Sequence, residues 1–140
     1  MSLTSTTTLR VRYAETDQMG VVYHSNYLVW FEVGRSELFR DLGLPYTLFE
    51  EAGLILAVVE ANCRYKQPAH YDDEVAVITT LSKFSSRMVT FTYEVYREDT
   101  LLVVGNTSHV FINKHGRPTD AKGFPIWSKV TEIVTPKLKN

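Results

Sequence analysis

The chain has 140 residues, 44% hydrophobic and 22% charged, with fifteen basic and sixteen acidic side chains and a formal net charge of −1. That is the size and balance of one globular domain over 1–140, and interspersed charges of both signs leave no basic face for a nucleic-acid backbone. The longest apolar runs, such as Ile55 to Val59, fall far short of the roughly 20 residues of a membrane helix, and Met1 to Thr8 is too polar for a signal segment, so a cytoplasmic protein is expected.

Leu9, Val11 and Tyr13 alternate with Arg10 and Arg12, the period of a half-buried strand, and a polar turn follows from Ala14 to Gly20. Tyr27, Trp30, Phe31, Gly34, Leu38 and Leu42 then recur at helical spacing, predicting one amphipathic helix from Asn26 to Leu42. Ser25 and Asn26 are its candidate N-caps, and Gly43 followed by Pro45 closes it. Gly34 falls on the apolar stripe, where a glycine signals close approach to a sheet.

The remainder alternates as strands: Val59 to Lys66, Val75 to Leu81, Val89 to Val95 and Val103 to Ile112, separated by polar turns at Ser85-Ser86, Glu98-Asp99-Thr100 and His115 to Pro118. Short connections imply antiparallel neighbours, and a tail starting at Pro125 has room for a short helix. The fold class is therefore α+β, one long central helix packed on a five-stranded antiparallel sheet. A single helix leaves much of such a sheet uncovered, and its open edge invites a second copy.

Several chemistries lack their signature. There is no Gly-x-Ser-x-Gly, Gly-x-Gly-x-x-Gly, phosphate loop or His-Glu-x-x-His, and His24, His70, His109 and His115 have no close ligand spacing, so no metal is expected. Cys63 is the sole cysteine, which rules out an intrachain disulfide or a Cys-x-x-Cys pair, and its alternating strand reads it as a small core residue.

The run from Tyr13 to Tyr27 places an acid, Asp17, just before a helix start. Its Thr16-Asp17-Gln18-Met19-Gly20-Val21-Val22-Tyr23 resembles the motif of the 4-hydroxybenzoyl-CoA thioesterase family of hot-dog proteins, and Tyr65, Pro68, Ala69, Tyr71 and Asp72-Asp73 resemble that family's link between its second and third strands. The resemblance implies a hot-dog fold, a homodimer or homotetramer with sites at subunit interfaces, and hydrolysis of acyl-CoA without cofactor. Acyl carrier protein is the alternative carrier. The resemblance also makes Asp17 the catalytic carboxylate and Tyr13 and His24 its neighbours, with backbone N–H groups of Tyr23 and His24 as the oxyanion site.

Physical chemistry supports the arrangement. A thioester carbonyl gains negative charge under attack, which helix-start N–H groups stabilise, while a carboxylate serves as nucleophile or general base. Asp17 also suits a turn, Gly20 a special backbone angle, and Glu15 solvent exposure. For the CoA phosphates, Lys83, Ser86 and above all Arg87 surround the turn after the third strand, with Lys114 and Arg117 after the fifth. Two further readings are a hot-dog hydratase or dehydratase built on His24 with Glu37, and a non-catalytic acyl-thioester binder.

Overall fold

The computed structural model describes residues 3–138. Five strands, β1 (Thr4–Arg10), β2 (Ile55–Tyr65), β3 (Glu74–Phe84), β4 (Met88–Arg97) and β5 (Thr100–Ile112), form one antiparallel sheet in the order β1-β3-β4-β5-β2. Helix α1 (Asn26–Asp41) crosses one face, and the short helix α2 (Tyr46–Glu51) leads into β2. Helix α3 (Ile126–Leu138) closes the far end of that face, where Trp127 stacks on Phe84 at 5.2 Å and meets Phe111 edge-on at 6.0 Å.

Two small residues seat α1. A Cβ on Gly34 would collide with the Thr79 hydroxyl and come within 3.0 Å of Val77 Cγ1, so the predicted close approach is observed. Gly105 on β5 does the same from below, since a Cβ there would lie 2.6 Å from the Phe31 ring, which itself stacks on Tyr93 at 4.1 Å. Around this contact Val77, Phe91, Tyr93, Val95 and Leu38 form the buried core. The opposite face is uncovered and polar, with Thr80, Thr92, Asn62 and Asn106 around a shallow hollow.

Three expectations are corrected. The first strand begins earlier, at Thr4, because β-branched threonines suit a half-exposed edge strand, and Tyr13 belongs instead to a 3₁₀ turn, Tyr13–Glu15. The tail holds a helix of 13 residues rather than a short one. Helix α2 was not anticipated from the sequence, and Pro45 precedes its first turn.

Candidate active site

Beyond β1 the chain keeps pairing for one more residue, Val11 donating to Asp73 C=O at 2.8 Å and accepting from Asp72 N–H at 3.0 Å. The Asp17 turn follows. Asp17 N–H donates to Val21 C=O at 2.8 Å, Gly20 N–H donates back to Asp17 C=O at 3.0 Å, and Gly20 adopts φ +79°, which a side chain rarely tolerates. Asp17 Oδ1 accepts from Met19 N–H at 2.8 Å and Val21 N–H at 3.4 Å. The residue is thus a turn-former and, at once, part of a cavity wall.

That cavity, about 360 Å³, lies between the Asp17 turn, the start of α1 and the segment after β2. Besides Asp17 it is walled by His24, Tyr27, Tyr65, Lys66 and Pro68. Aromatic rings set its shape: Tyr27 and Tyr65 meet edge-on at 5.6 Å, and His24 approaches Tyr65 at 6.4 Å. The Tyr65 hydroxyl donates to His24 C=O at 3.2 Å, and the buried Tyr27 hydroxyl accepts from Ala69 N–H at 3.1 Å.

The expected oxyanion donors divide. Tyr23 N–H is taken, donating to Glu15 C=O at 2.8 Å, so it is withdrawn from that role. Among the described residues, the N–H groups of His24 and Ser25 donate to no protein acceptor. Tyr13 is likewise not brought to the cavity wall: it stands 77% exposed against Tyr71, their rings edge-on at 5.6 Å.

Glu15, expected to face solvent, is buried at 5% exposure. Its carboxylate accepts from Arg12 N–H at 2.8 Å and from the Trp30 indole N–H at 2.8 Å. Burial pushes its pKa up, but the hydrogen bonds from Arg12 and Trp30 and the Arg12 charge outweigh that and hold it below the ordinary value. No local pattern reveals this, because the partner indole lies fifteen residues away on α1. A second brace stands behind Pro68, where half-buried Arg97 donates to Pro68 C=O at 3.0 Å and to Asp73 at 2.9 Å. Burial raises the Asp73 pKa, and the hydrogen bonds from His70 N–H and Arg97 with the Arg97 charge overcome this and lower it.

The cations expected for CoA lie elsewhere. Register puts Arg10, beside the Asp17 turn, opposite Glu74, whereas Lys83, Ser86 and Arg87 lie at or beyond the other end of β3, roughly 30 Å away at strand rise. There Arg87 pairs with Asp120 at 3.5 Å, and Ser86 C=O accepts from Ala121 N–H at 2.8 Å. The His24–Glu37 pair of the hydratase reading is also not assembled, since Glu37 is bound to Arg40 near the far end of α1.

A long helix on a five-stranded antiparallel sheet, with a carboxylate turn at the helix start, defines a hot-dog thioesterase fold. The chain belongs to the thioesterase-like superfamily, which it matches over residues 11–134. It is 40% identical to YneP of Bacillus subtilis (strain 168) over 127 residues, 89% of this chain and 92% of that one. Its structure resembles that of a DHNA-CoA thioesterase from Staphylococcus aureus at TM-score 0.87 and 34% identity, covering 95% of this chain and 91% of that one. A 4-hydroxybenzoyl CoA thioesterase complexed with 4-hydroxybenzoyl CoA shares the fold at TM-score 0.77 and 21% identity, over 85% and 93% of the two chains.

Proposed function

We propose that this protein hydrolyses an acyl-CoA at the Asp17 cavity, with the Asp17 carboxylate as nucleophile or general base and the N–H groups of His24 and Ser25 as the oxyanion site. The observation that carries the reading is that one carboxylate, anchored through Oδ1 by Met19 and Val21, shares a cavity with His24, at the approach to α1, where the N–H groups of His24 and Ser25 are unused. Either water adds to the thioester carbonyl as Asp17 takes its proton, or Asp17 itself adds and water then hydrolyses the resulting mixed anhydride to the free acid. The negative charge that develops on the carbonyl oxygen is met by N–H donors already in place, and CoA leaves as a thiolate that takes up a proton. His24, on the wall with its imidazole against Tyr23, positions the acyl thioester.

The reading extends to a second copy. Strand β2 is an edge with Val58 51% and Val59 55% exposed, an apolar strip unsuited to water. Pairing it with β2 of a second copy around a two-fold axis runs the strands antiparallel, setting the Tyr65 end of one beside the Ile55 end of the other. Ile55 pairs with Ile112, and Met88 with Val110, so the Ile55 end is also the Arg87 end. A homodimer thereby brings Arg87 and Ser86 of one copy level with Asp17 of the other, where the CoA phosphates would meet them.

Release of free CoA from a panel of aromatic, short-chain and long-chain acyl-CoA thioesters, followed with a thiol reagent, tests the reaction. Wild type should release CoA from at least one class, and Asp17→Asn should lower kcat roughly 100-fold or more with binding retained. The asparagine Oδ1 still accepts from Met19 and Val21, so the melting temperature should hold. A variant that keeps the wild-type rate and melts earlier would reduce Asp17 to a turn residue. Sedimentation at micromolar concentration should show a dimer or tetramer, and a fully active monomer would overturn the shared site.

A further inference from the structure

Glu15 ties the stretch after β1 to the approach to α1 and to α1 itself. Through its carboxylate it holds Arg12 N–H, where β1 ends, and the Trp30 indole on α1. Through its carbonyl it holds Tyr23 N–H at 2.8 Å and the Asn26 side-chain amide at 2.9 Å, the two residues that lead into the helix. Immediately downstream, Thr16 bridges to Val22, and Asp17 opens its turn. The backbone leading to Asp17 and the backbone leading to His24 are thus joined through bonds made by Glu15.

The chemistry of the donors explains why the side chain is an acid. Arg12 N–H and the Trp30 N–H each reach a different carboxylate oxygen, and the Arg12 guanidinium adds a third donor at 3.5 Å. A carboxylate offers acceptors only, whereas a glutamine in the same place turns an NH₂ toward one of these donors. With Trp30 1% exposed, the mismatch has no water nearby to relieve it.

We propose that Glu15 is the positioning residue of the site, its buried carboxylate fixing the separation between the Asp17 carboxylate and the N–H groups of His24 and Ser25. The inference rests on the Asp17 reading above. Glu15 touches no substrate. It acts by holding two groups at the distance the transition state needs, and small misplacements of that kind are costly.

The test is Glu15→Gln and, separately, Trp30→Phe, which removes only the indole donor and keeps a buried ring. Both are assayed for kcat and KM of acyl-CoA hydrolysis well below their melting temperatures. Each should lower kcat by about 10- to 100-fold while KM moves less than about twofold, because ground-state binding does not depend on the separation. Combining them should cost less than the product of the two, since both break one link. Wild-type kcat in Trp30→Phe, or a loss confined to melting temperature, would make Glu15 structural only, and Trp30→Phe carries the test if Glu15→Gln does not fold. Asp17→Asn assayed alongside separates the failures: full activity there removes the underlying reading, whereas an inactive Asp17→Asn beside fully active Glu15→Gln and Trp30→Phe removes this proposal alone.

Discussion

The two ends of the sheet are built in different ways. At the Asp17 end three chain segments are tied together by short backbone bonds, among them Val22 N–H to Ala69 C=O at 2.9 Å and Tyr23 N–H to Glu15 C=O at 2.8 Å, and of the ion pairs there the shortest, Arg97 with Asp73, is 2.9 Å long and sheltered, while those of Arg10 are exposed. At the Arg87 end the turn is bonded mainly to itself through Ser85, and the ion pair, Arg87 with Asp120, is 3.5 Å long with the Arg87 side chain 70% exposed. Rigid polar geometry suits bond-making, where fractions of an ångström matter. On the proposed reading, an exposed cation suits the CoA phosphates, which need charge more than placement.

The pH dependence of stability separates the sheltered groups by window. His109 lies beneath α1 at 1% exposure, its Nε2 2.8 Å from the Thr107 hydroxyl; burial, and then the nearby Arg35 charge, lower its pKa to about 4 from 6.5. Since the unfolded chain binds the proton more readily, stability should be full above pH 6.5, fall by about 3 kcal/mol on the way to pH 4, and level off there. Glu15 and Asp73 have lowered values, so their contribution is present above the ordinary carboxylate range and is lost only as pH falls through the folded-state values. Melting curves across pH, with His109→Gln flattening the upper window alone, check both halves. Acid loss confined to below pH 4 would contradict the first.

Next in size is Arg97→Met. It leaves the sheltered Asp73 carboxylate without its cation and should cost about 1–3 kcal/mol in denaturant unfolding. Arg87→Ala should do the reverse, raising KM roughly tenfold with kcat retained. Mixing Asp17→Asn chains with Arg87→Ala chains should then recover activity at low substrate beyond the average of the two, because one site of each mixed dimer is intact. Strict averaging would put both groups in one chain's site. Smallest is Asp120→Ala, which removes the pair with exposed Arg87 and the bond from Lys122 N–H and should shift the denaturant midpoint only slightly. A larger change would erase the contrast between the ends.

The strands after residue 55 and helix α1 were legible because period and punctuation agree: α1 runs Asn26–Asp41 against a predicted end at Leu42. Strand order was not. β1 and β2 occupy opposite edges of the sheet, and alternation carries no information about neighbours beyond the hairpins. In the site, the Asp17 turn was legible from its motif, since its bonds are local. Glu15 was missed because burial here depends on Trp30 and Tyr23, which only folding brings near. The distance from Arg87 to Asp17 was hidden for the same reason, as residues that look like one binding set lie at opposite ends of β3.

Gly34 and Gly105 fix more than packing. With both contacts closed, α1 cannot be pressed nearer to the sheet without a steric clash, or lifted off it without opening a gap in the core, so the helix side of the cavity is a fixed wall. On the proposed reading, room for a larger or smaller acyl group has to come from the other walls, chiefly Val21 and Pro68, whose side chains make no hydrogen bond to Asp17 or His24, whereas the Tyr65 hydroxyl also holds His24 C=O. Substrate range in such a molecule can therefore drift by single side-chain replacements while the reacting geometry stays as it is.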